Sequence, residues 1–365
     1  MFRYHGKASD LKRALSVVGR VVPKSNTIPI LGNVILEERG GHCCIMGTNL
    51  DVSVEVSTDV EDVTGKTTIP HSRLSAFLNV LDDDVVSIEV GKDGGVATCK
   101  GGDAISKIPT LPIEDMPEAV FGDLEVPKDR TLQLSGDFIR YALKALSQAC
   151  KSEKSRTYLM GARFDGIGRS VVATDGKIMA VEEIGFGGFK SGFTLPANAF
   201  DIVTSICADG KCDIKVSENI ITFKTDIGSV RTKMIDGEYP DYTRLLRNNE
   251  RVLATISRHE LDRVVAQGSL AHNSASNACI VTINDDGITV EKHGSDGDLS
   301  QSRAHAEVQN HARFGMDPSF LIWAANSFQD HVKDVDIMSD GENGPIFVRP
   351  TGSNISLRLL MPMRV

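Results

Sequence analysis

Aromatic side chains are scarce in this chain, at 5% of 365 residues with a single tryptophan, Trp323. That excludes a sheet of stacked aromatics reading single-stranded bases, so any nucleic-acid contact is expected to be mostly electrostatic. Positive charge is not in excess either. The 40 Lys and Arg against 49 Asp and Glu leave a formal net charge of -9, which rules out a uniformly basic binder but not a local basic face. The seven cysteines (Cys43, Cys44, Cys99, Cys150, Cys207, Cys212 and Cys279) form no C-x-x-C pair, and no histidine stands at ligand spacing from them. Reduced thiols in a cytosol fit that pattern best. The start, Met1 to Lys7, has no apolar h-region, and no later stretch approaches the roughly 18 apolar residues of a membrane span. A soluble, unexported, cytoplasmic protein is expected.

Catalytic signatures are missing as well. There is no G-x-x-x-x-G-K-[ST], no H-E-x-x-H and no G-x-S-x-G. The glycine-rich run from Gly185 to Gly192 precedes a strand-like Phe193-Thr194-Leu195 instead of opening a helix, so it reads as a loop. Asn284-Asp285-Asp286-Gly287 breaks off before a calcium-ligand series is complete and reads as a hairpin turn. His305 and His311 read as surface histidines, and Asp82-Asp83-Asp84 as a solvated acidic loop. No metal, cofactor or covalent site is expected.

What the chain does have is length for two to four domains, 41% apolar residues to build their cores, and a repeat. Three landmarks recur. A polar start leads into an amphipathic helix at Ser9-Asp10-Leu11, Ser135-Gly136-Asp137-Phe138 and Ser257-Arg258-His259-Glu260-Leu261, with Leu11, Phe138 and Leu261 spaced by 127 and 123 residues. An extended segment enters a second helix through Pro70, Pro196 and Pro318, 126 and 122 apart. A turn joins two apolar strands at Thr48, Thr174 and Ser295, 126 and 121 apart. Three homologous domains are expected, at 1–123, 124–249 and 250–365. In the first helix Leu11, Leu15, Val18 and Val22 make one buried stripe, while Lys12, Arg13 and Arg20 fall on other faces. Strands such as Val52-Ser53-Val54-Glu55-Val56 and Ile220-Ile221-Thr222-Phe223-Lys224 alternate, which predicts sheets buried on one face. Each domain is then α+β, helices laid on one side of antiparallel sheet.

The charge is distributed unevenly over these repeats. Lys7, Lys12, Arg13, Arg20 and Lys24 face one acid, Asp10, in the first; Arg140, Lys144, Lys151, Lys154 and Arg156 face Glu153 alone in the second. In the third, Arg258 and Arg263 are balanced by Glu260 and Asp262, with His259 and His272 in addition. Helices sharing one orientation in an array would form a positive stripe suited to phosphates, binding duplexes without sequence preference and with strong salt dependence. A solvated helix face is the alternative reading of any one of them.

Five stretches, in order, resemble the bacterial sliding clamp family, the beta subunit of DNA polymerase III. They are Ile28-Pro29-Ile30-Leu31-Gly32-Asn33, Gly47-Thr48-Asn49-Leu50, Ala173-Thr174-Asp175-Gly176, Asp236-Gly237-Glu238-Tyr239-Pro240-Asp241-Tyr242 and Met361-Pro362-Met363-Arg364. The resemblance implies a non-catalytic processivity factor, with two chains head to tail closing a six-domain ring, helices inside and sheets outside. It implies duplex DNA, the polymerase III catalytic subunit, a clamp loader and other short-motif proteins as partners. By the same resemblance, DNA would be met by Arg20, Lys24, Arg73, Arg140, Lys144, Lys151, Lys154, Arg156 and Tyr158. The pairing of chains would use Ile108, in an edge strand where Pro109 removes a ladder donor, and Leu270. A partner-peptide pocket would be lined by Leu159, Thr174, Gly176, Lys177, Met179, Pro240, Arg244, Leu245, Leu359, Met361, Pro362, Met363 and Arg364. From the residues alone, Leu159, Leu245 and Leu359 read equally well as ordinary core. Where the family usually has His-Arg-Leu after Thr-Asp-Gly, this chain has Lys177-Ile178-Met179. That departure leaves room for a specialised phage, plasmid or resistance-type clamp with altered partners. An enzyme using Asp175 or Lys177 in a cleft between repeats is the more distant alternative.

Overall fold

The computed structural model describes all residues except 26, 82–84, 118–120, 122–125, 151–155, 185–191, 208–209, 247–249, 342–343 and 365. The expected boundaries near 123 and 249, the acidic run Asp82–Asp84, most of the glycine-rich run, and Lys151 and Lys154 therefore lie outside the described residues.

One element order occurs three times, save that the described residues of the second run hold four strands between the two helices where the others hold five. The first run is β1 (Phe2–Lys7), α1 (Ala8–Val18), β2 (Asn33–Arg39), β3 (His42–Thr48), β4 (Val52–Thr58), β5 (Asp62–Thr64), β6 (Lys66–Pro70), α2 (His71–Asn79), β7 (Val85–Val90), β8 (Val96–Gly101) and β9 (Ala104–Pro109). The second is β10 (Thr131–Ser135), α3 (Gly136–Leu146), β11 (Gly161–Asp165), β12 (Ser170–Thr174), β13 (Ile178–Glu183), β14 (Phe193–Pro196), α4 (Phe200–Ile206), β15 (Lys211–Val216), β16 (Ile220–Lys224) and β17 (Gly228–Lys233). The third is β18 (Arg251–Ser257), α5 (Arg258–Gly268), β19 (Cys279–Asn284), β20 (Gly287–His293), β21 (Leu299–Ala304), β22 (Glu307–Val308), β23 (Ala312–Met316), α6 (Pro318–Asn326), β24 (Asp334–Ser339), β25 (Ile346–Pro350) and β26 (Ser356–Leu360).

The landmarks have local causes. Pro70 and Pro196 end strands, and Pro318 is the first residue of α6, so each proline sits where a missing N–H costs no ladder or helix bond. Ser257 caps α5 by accepting from the Glu260 N–H at 3.2 Å, and Ser135 accepts from the Phe138 N–H at 3.0 Å. The first copy differs: α1 starts at Ala8, no side chain caps it, and Ser9 lies inside the helix. Its buried stripe is Ala8, Leu11, Ala14, Leu15 and Val18. Val22 lies beyond the helix end, packed with Val18 over Gly47, where any β-carbon would clash.

The chain forms two compact units, residues 1–140 with 198–234, and residues 141–184 with 192–197 and 235–364. The first holds sheets of order β10-β15-β16-β17-β4-β3-β2-β6 and β5-β1-β7-β8-β9; the second holds β14-β11-β12-β13-β26-β25-β24-β18-β22 and β21-β20-β19-β23. The second run is thus shared between units. Its strand β17 pairs with β4 (Val230 opposite Val54), and its strand β13 pairs with β26 (Ala180 opposite Arg358), both antiparallel. The alternation expected in these strands is incomplete. Ser53 and Thr222 are both buried, and both stand beside Arg231 in one row of the sheet. All seven cysteines are buried and free, and no helix among the described residues is long and apolar enough to cross a membrane.

Candidate functional site

The second unit brings together most of the residues expected to line a peptide pocket. Its foundation is the segment Asp236–Tyr242, which turns at Gly237 (φ +119°) and buries two tyrosines. Tyr242 donates to the Asp165 carboxylate at 2.7 Å and shares a 2.9 Å bond with the Ser170 hydroxyl; Tyr239 reaches the Val172 carbonyl at 3.5 Å. Burial, with the Asp165 charge alongside, pushes the Tyr242 phenol up to about 12. Partial burial of Asp165 works against its charge, yet hydrogen bonds from the Gly168 N–H, Tyr242 and the Ile167 N–H prevail and lower its pKa.

On this foundation lies an apolar floor. Leu159, Met179 and Leu359 are buried with Val172, Tyr239, Tyr242, Met338 and Phe347. Leu159 and Leu359 are therefore core in the lone chain, while Leu245 is exposed and belongs to the rim. The rim also exposes Gly176, Lys177, Pro240, Arg244, Met361, Met363 and Arg364, with Thr174 and Pro362 half-buried. Met338 and Phe347 joined this floor without any mark in the sequence; Tyr239 and Tyr242 stood in a recognisable stretch.

The hairpin between β12 and β13 holds the rim in place. The Thr174 hydroxyl donates to the Ile178 carbonyl at 2.7 Å and accepts from the Gly176 N–H at 3.0 Å, and Gly176 takes φ +88°. The Asp175 carboxylate accepts from the N–H groups of Lys177 and Ile178 at 2.8 and 2.9 Å, so it is engaged in the turn and poorly placed to act as an acid or base. The Lys177 carbonyl accepts from the Met361 N–H, and the Gly315 carbonyl from the Met363 N–H, both at 2.9 Å, which docks the C-terminal segment. Ile178, where the family usually has Arg, is buried opposite Leu360. The rim's cations are therefore Lys177, Arg244, which bonds Asp241 at 2.8 Å, Arg364 and one more: Arg156, whose Nη1 would lie 3.2 Å from a β-carbon on Gly176. Tyr158 neighbours Gly237 in the same way. Two residues expected at DNA thus stand beside the peptide site, because the 3-10 turn Thr157–Leu159 that buries Leu159 carries them there.

The other expected DNA contacts are surface cations. Lys24, Arg73 and Lys144 are exposed, Arg20 lies 3.5 Å from the Asp201 carbonyl, and Arg140 pairs with Asp137. Lys12 is bound to the Leu81 carbonyl and Arg13 to Asp10. In the third run Arg258 donates to the Phe328 and Gln329 carbonyls and Arg263 pairs with Glu260 at 2.6 Å. Of the pairing residues, Leu270 is 76% exposed just after α5, and Ile108 is buried in the edge strand β9. No metal-binding cluster occurs among the described residues.

Comparison with known proteins agrees with this architecture. The family profile described as DNA polymerase III beta subunit, N-terminal domain, matches residues 7–120, and the one for the central domain matches residues 133–241. A beta sliding clamp of Chlamydia pneumoniae is 23% identical over 98% of this chain and 97% of its own length. One of Caulobacter vibrioides is 28% identical over 67% of this chain and 68% of its own. The solved structure of a sliding clamp from Pseudomonas aeruginosa bound to griselimycin superposes with a TM-score of 0.90 at 21% identity, covering all of both chains. With consecutive family domains matched in order over more than half its length, and with the same fold throughout, the chain belongs to the DNA polymerase III beta subunit family.

Proposed function

We propose that the chain is a DNA sliding clamp, a processivity factor without catalysis of its own that encircles duplex DNA as a head-to-tail homodimer. It reads as three domains, 1–123, 124–249 and 250–365. The observation that carries the ring is an unfinished third sheet. The fourth strand of the first run, β4, pairs with the last strand of the second, β17, and the fourth of the second, β13, pairs with the last of the third, β26. The fourth strand of the third run, β21, and the last of the first, β9, remain as sheet edges. A partner chain's β9 against β21 completes the rotation, and six equivalent units then close on themselves. The fifth residue of each last strand supports this: Thr232, Leu360 and Ile108 are all buried, so Ile108 belongs to the core face of the joint. Exposed Leu270 and Ile105 are the apolar groups such a joint would cover.

In this reading Lys24, Arg20, Arg73, Arg140, Lys144, Lys151 and Lys154 supply diffuse contacts to phosphates, weak enough for sliding because topology holds the duplex. The apolar floor and Met-rich rim receive short motifs of the polymerase III catalytic subunit, the clamp loader and other proteins. The Pseudomonas relative's griselimycin makes that ligand a direct probe of the site. Working in the cytoplasm follows from the role. Light scattering should give about 79 kDa, twice the 39.5 kDa of one chain. After loading, the protein should stay on circular DNA at raised salt and leave when the circle is cut. A monomer, or equal loss from both DNAs, would overturn the ring.

A further inference from the structure

Of the ten methionines, Met46, Met179, Met316 and Met338 are buried to within 3% of complete, whereas Met1, Met160, Met361 and Met363 are 65%, 38%, 39% and 36% exposed, the last two together on the C-terminal segment at the rim. Those two residues stand two apart on a segment whose backbone is fixed to the Lys177 and Gly315 carbonyls. The thiols, the usual first target of peroxide, are shielded. All seven are buried, and burial pushes Cys99 and Cys279 up to about 11 and Cys43 up to about 12, leaving almost no thiolate at neutral pH.

We propose that Met361 and Met363 are sites of reversible oxidation by hydrogen peroxide, and that their sulfoxides close the peptide site to apolar motifs. The thioether lone pair takes one oxygen from the peroxide as the O–O bond breaks and water leaves, giving methionine sulfoxide. A flexible apolar side chain thereby becomes a polar one at the rim of an apolar floor, where a docked motif offers it no hydrogen-bond donor. The fold itself is spared, since the floor methionines Met179 and Met338 are covered. The inference rests on the peptide-site reading of this surface.

The test is graded peroxide treatment of the full-length protein, followed by peptide mass spectrometry and by binding of a dye-labelled peptide ending in Leu-Phe. Oxygen should appear on Met361 and Met363 before Met46, Met179, Met316 and Met338, and affinity should fall about tenfold in step with it. Methionine sulfoxide reductases A and B with a thiol reductant should restore it. The double variant Met361→Leu, Met363→Leu is judged by the ratio of its affinities before and after peroxide, which should stay near one. Oxygen spread evenly over buried and exposed methionines, unchanged affinity after oxidation of both, or an equal loss in the double variant would overturn the inference. Failure of the untreated protein to bind the peptide would instead remove the peptide-site reading and the inference with it, whereas the mass-spectrometric order tests the exposure argument alone.

Discussion

Arg358 Nη2 lies 2.7 Å from the Glu182 carboxylate, and neither side chain has any solvent exposure. The two face each other across the junction of β13 and β26, with Tyr141 donating to Glu182 at 3.0 Å, Ser356 donating to its second oxygen, and Arg358 reaching the Ser327 hydroxyl and carbonyl at 2.7 and 2.8 Å. At the corresponding rows of the junction between β4 and β17 the chain places Val56 and Val230, both buried. One architecture therefore closes its junction with an ion pair in one place and with apolar contact in the other. Removing one partner, as in Arg358→Met, strands a buried charge and should cost about 3–5 kcal/mol in urea unfolding. The double change Glu182→Val, Arg358→Val should recover most of that loss, since it reproduces the other junction.

Leu50 and Gly176 occupy one position of one turn. In the first copy Asn49 accepts from the N–H groups of Asp51 and Val52, and Thr48 from the Leu50 N–H, as Asp175 and Thr174 do in the second. The backbone there is left-handed in both, φ +78° at Leu50 and +88° at Gly176. A side chain pays about 1–2 kcal/mol for that conformation, partly offset by the entropy glycine loses on folding. Leu50→Gly should therefore stabilise the protein by about 0.5–1 kcal/mol, read as a higher Tm. Gly176→Leu should lower it by a similar amount.

Such comparisons show where sequence reading works here. The repeat was legible because the prolines before the second helices, the hairpin hydroxyls of Thr48 and Thr174 and the capping serines Ser135 and Ser257 meet local requirements of the same backbone. The rim of the site was legible through its motifs. The burial of Ser53 and Thr222, the pairing of Glu182 with Arg358, and the recruitment of Met338 and Phe347 were not, because each depends on which strand lies alongside, a long-range fact that no local pattern encodes. Arg156 and Tyr158, which the resemblance assigns to DNA, also stand beside Gly176 and Gly237, a neighbourhood that follows from the turn at Leu159 and that no local pattern encodes.

Asp165 makes the peptide-site foundation sensitive to acid. Its folded pKa is lowered, so the stability it contributes is complete above the ordinary carboxylate value of 3.8 and is lost as pH falls through the lower folded value. Tyr242 has the opposite sense. Its raised value means that stability is complete below pH 10 and is lost as pH rises toward about 12. Tyr242→Phe should reduce both losses, and the gap between variant and parent in thermal unfolding should narrow below pH 4 and above pH 10.

A cation held by two side chains of its own helix is less free to displace counterions from DNA than an unengaged one. Lys24 and Arg73 are exposed, and changing either to Ala should reduce the slope of log K against log salt by about one unit or less. Arg263 is held by Glu260 at 2.6 Å and by Gln267 at 2.9 Å. Arg263→Ala should leave that slope unchanged, and an equal drop for all three variants would show that the third run's helix meets the duplex as closely as the first.

Pro109 weakens the proposed joint at one defined bond. Counted from the start of each last strand, the sixth position donates across its junction where it can: the Lys233 N–H at the end of β17 to the Asp51 carbonyl at 3.1 Å, and the Met361 N–H just past β26 to the Lys177 carbonyl at 2.9 Å. Pro109 holds the corresponding place in β9 and has no N–H to give. The proposed junction between chains, made twice in the ring, would then carry one hydrogen bond fewer than either junction within a chain, which suits a seam that opens to admit DNA. A net backbone hydrogen bond is worth about 1 kcal/mol and the closed ring makes the joint twice, so Pro109→Ala should tighten the dimer about thirtyfold in sedimentation equilibrium and lengthen its residence on circular DNA. Leu270→Asp should do the reverse and shift the mass toward one chain, because a carboxylate would be buried where an apolar side chain now waits for its partner.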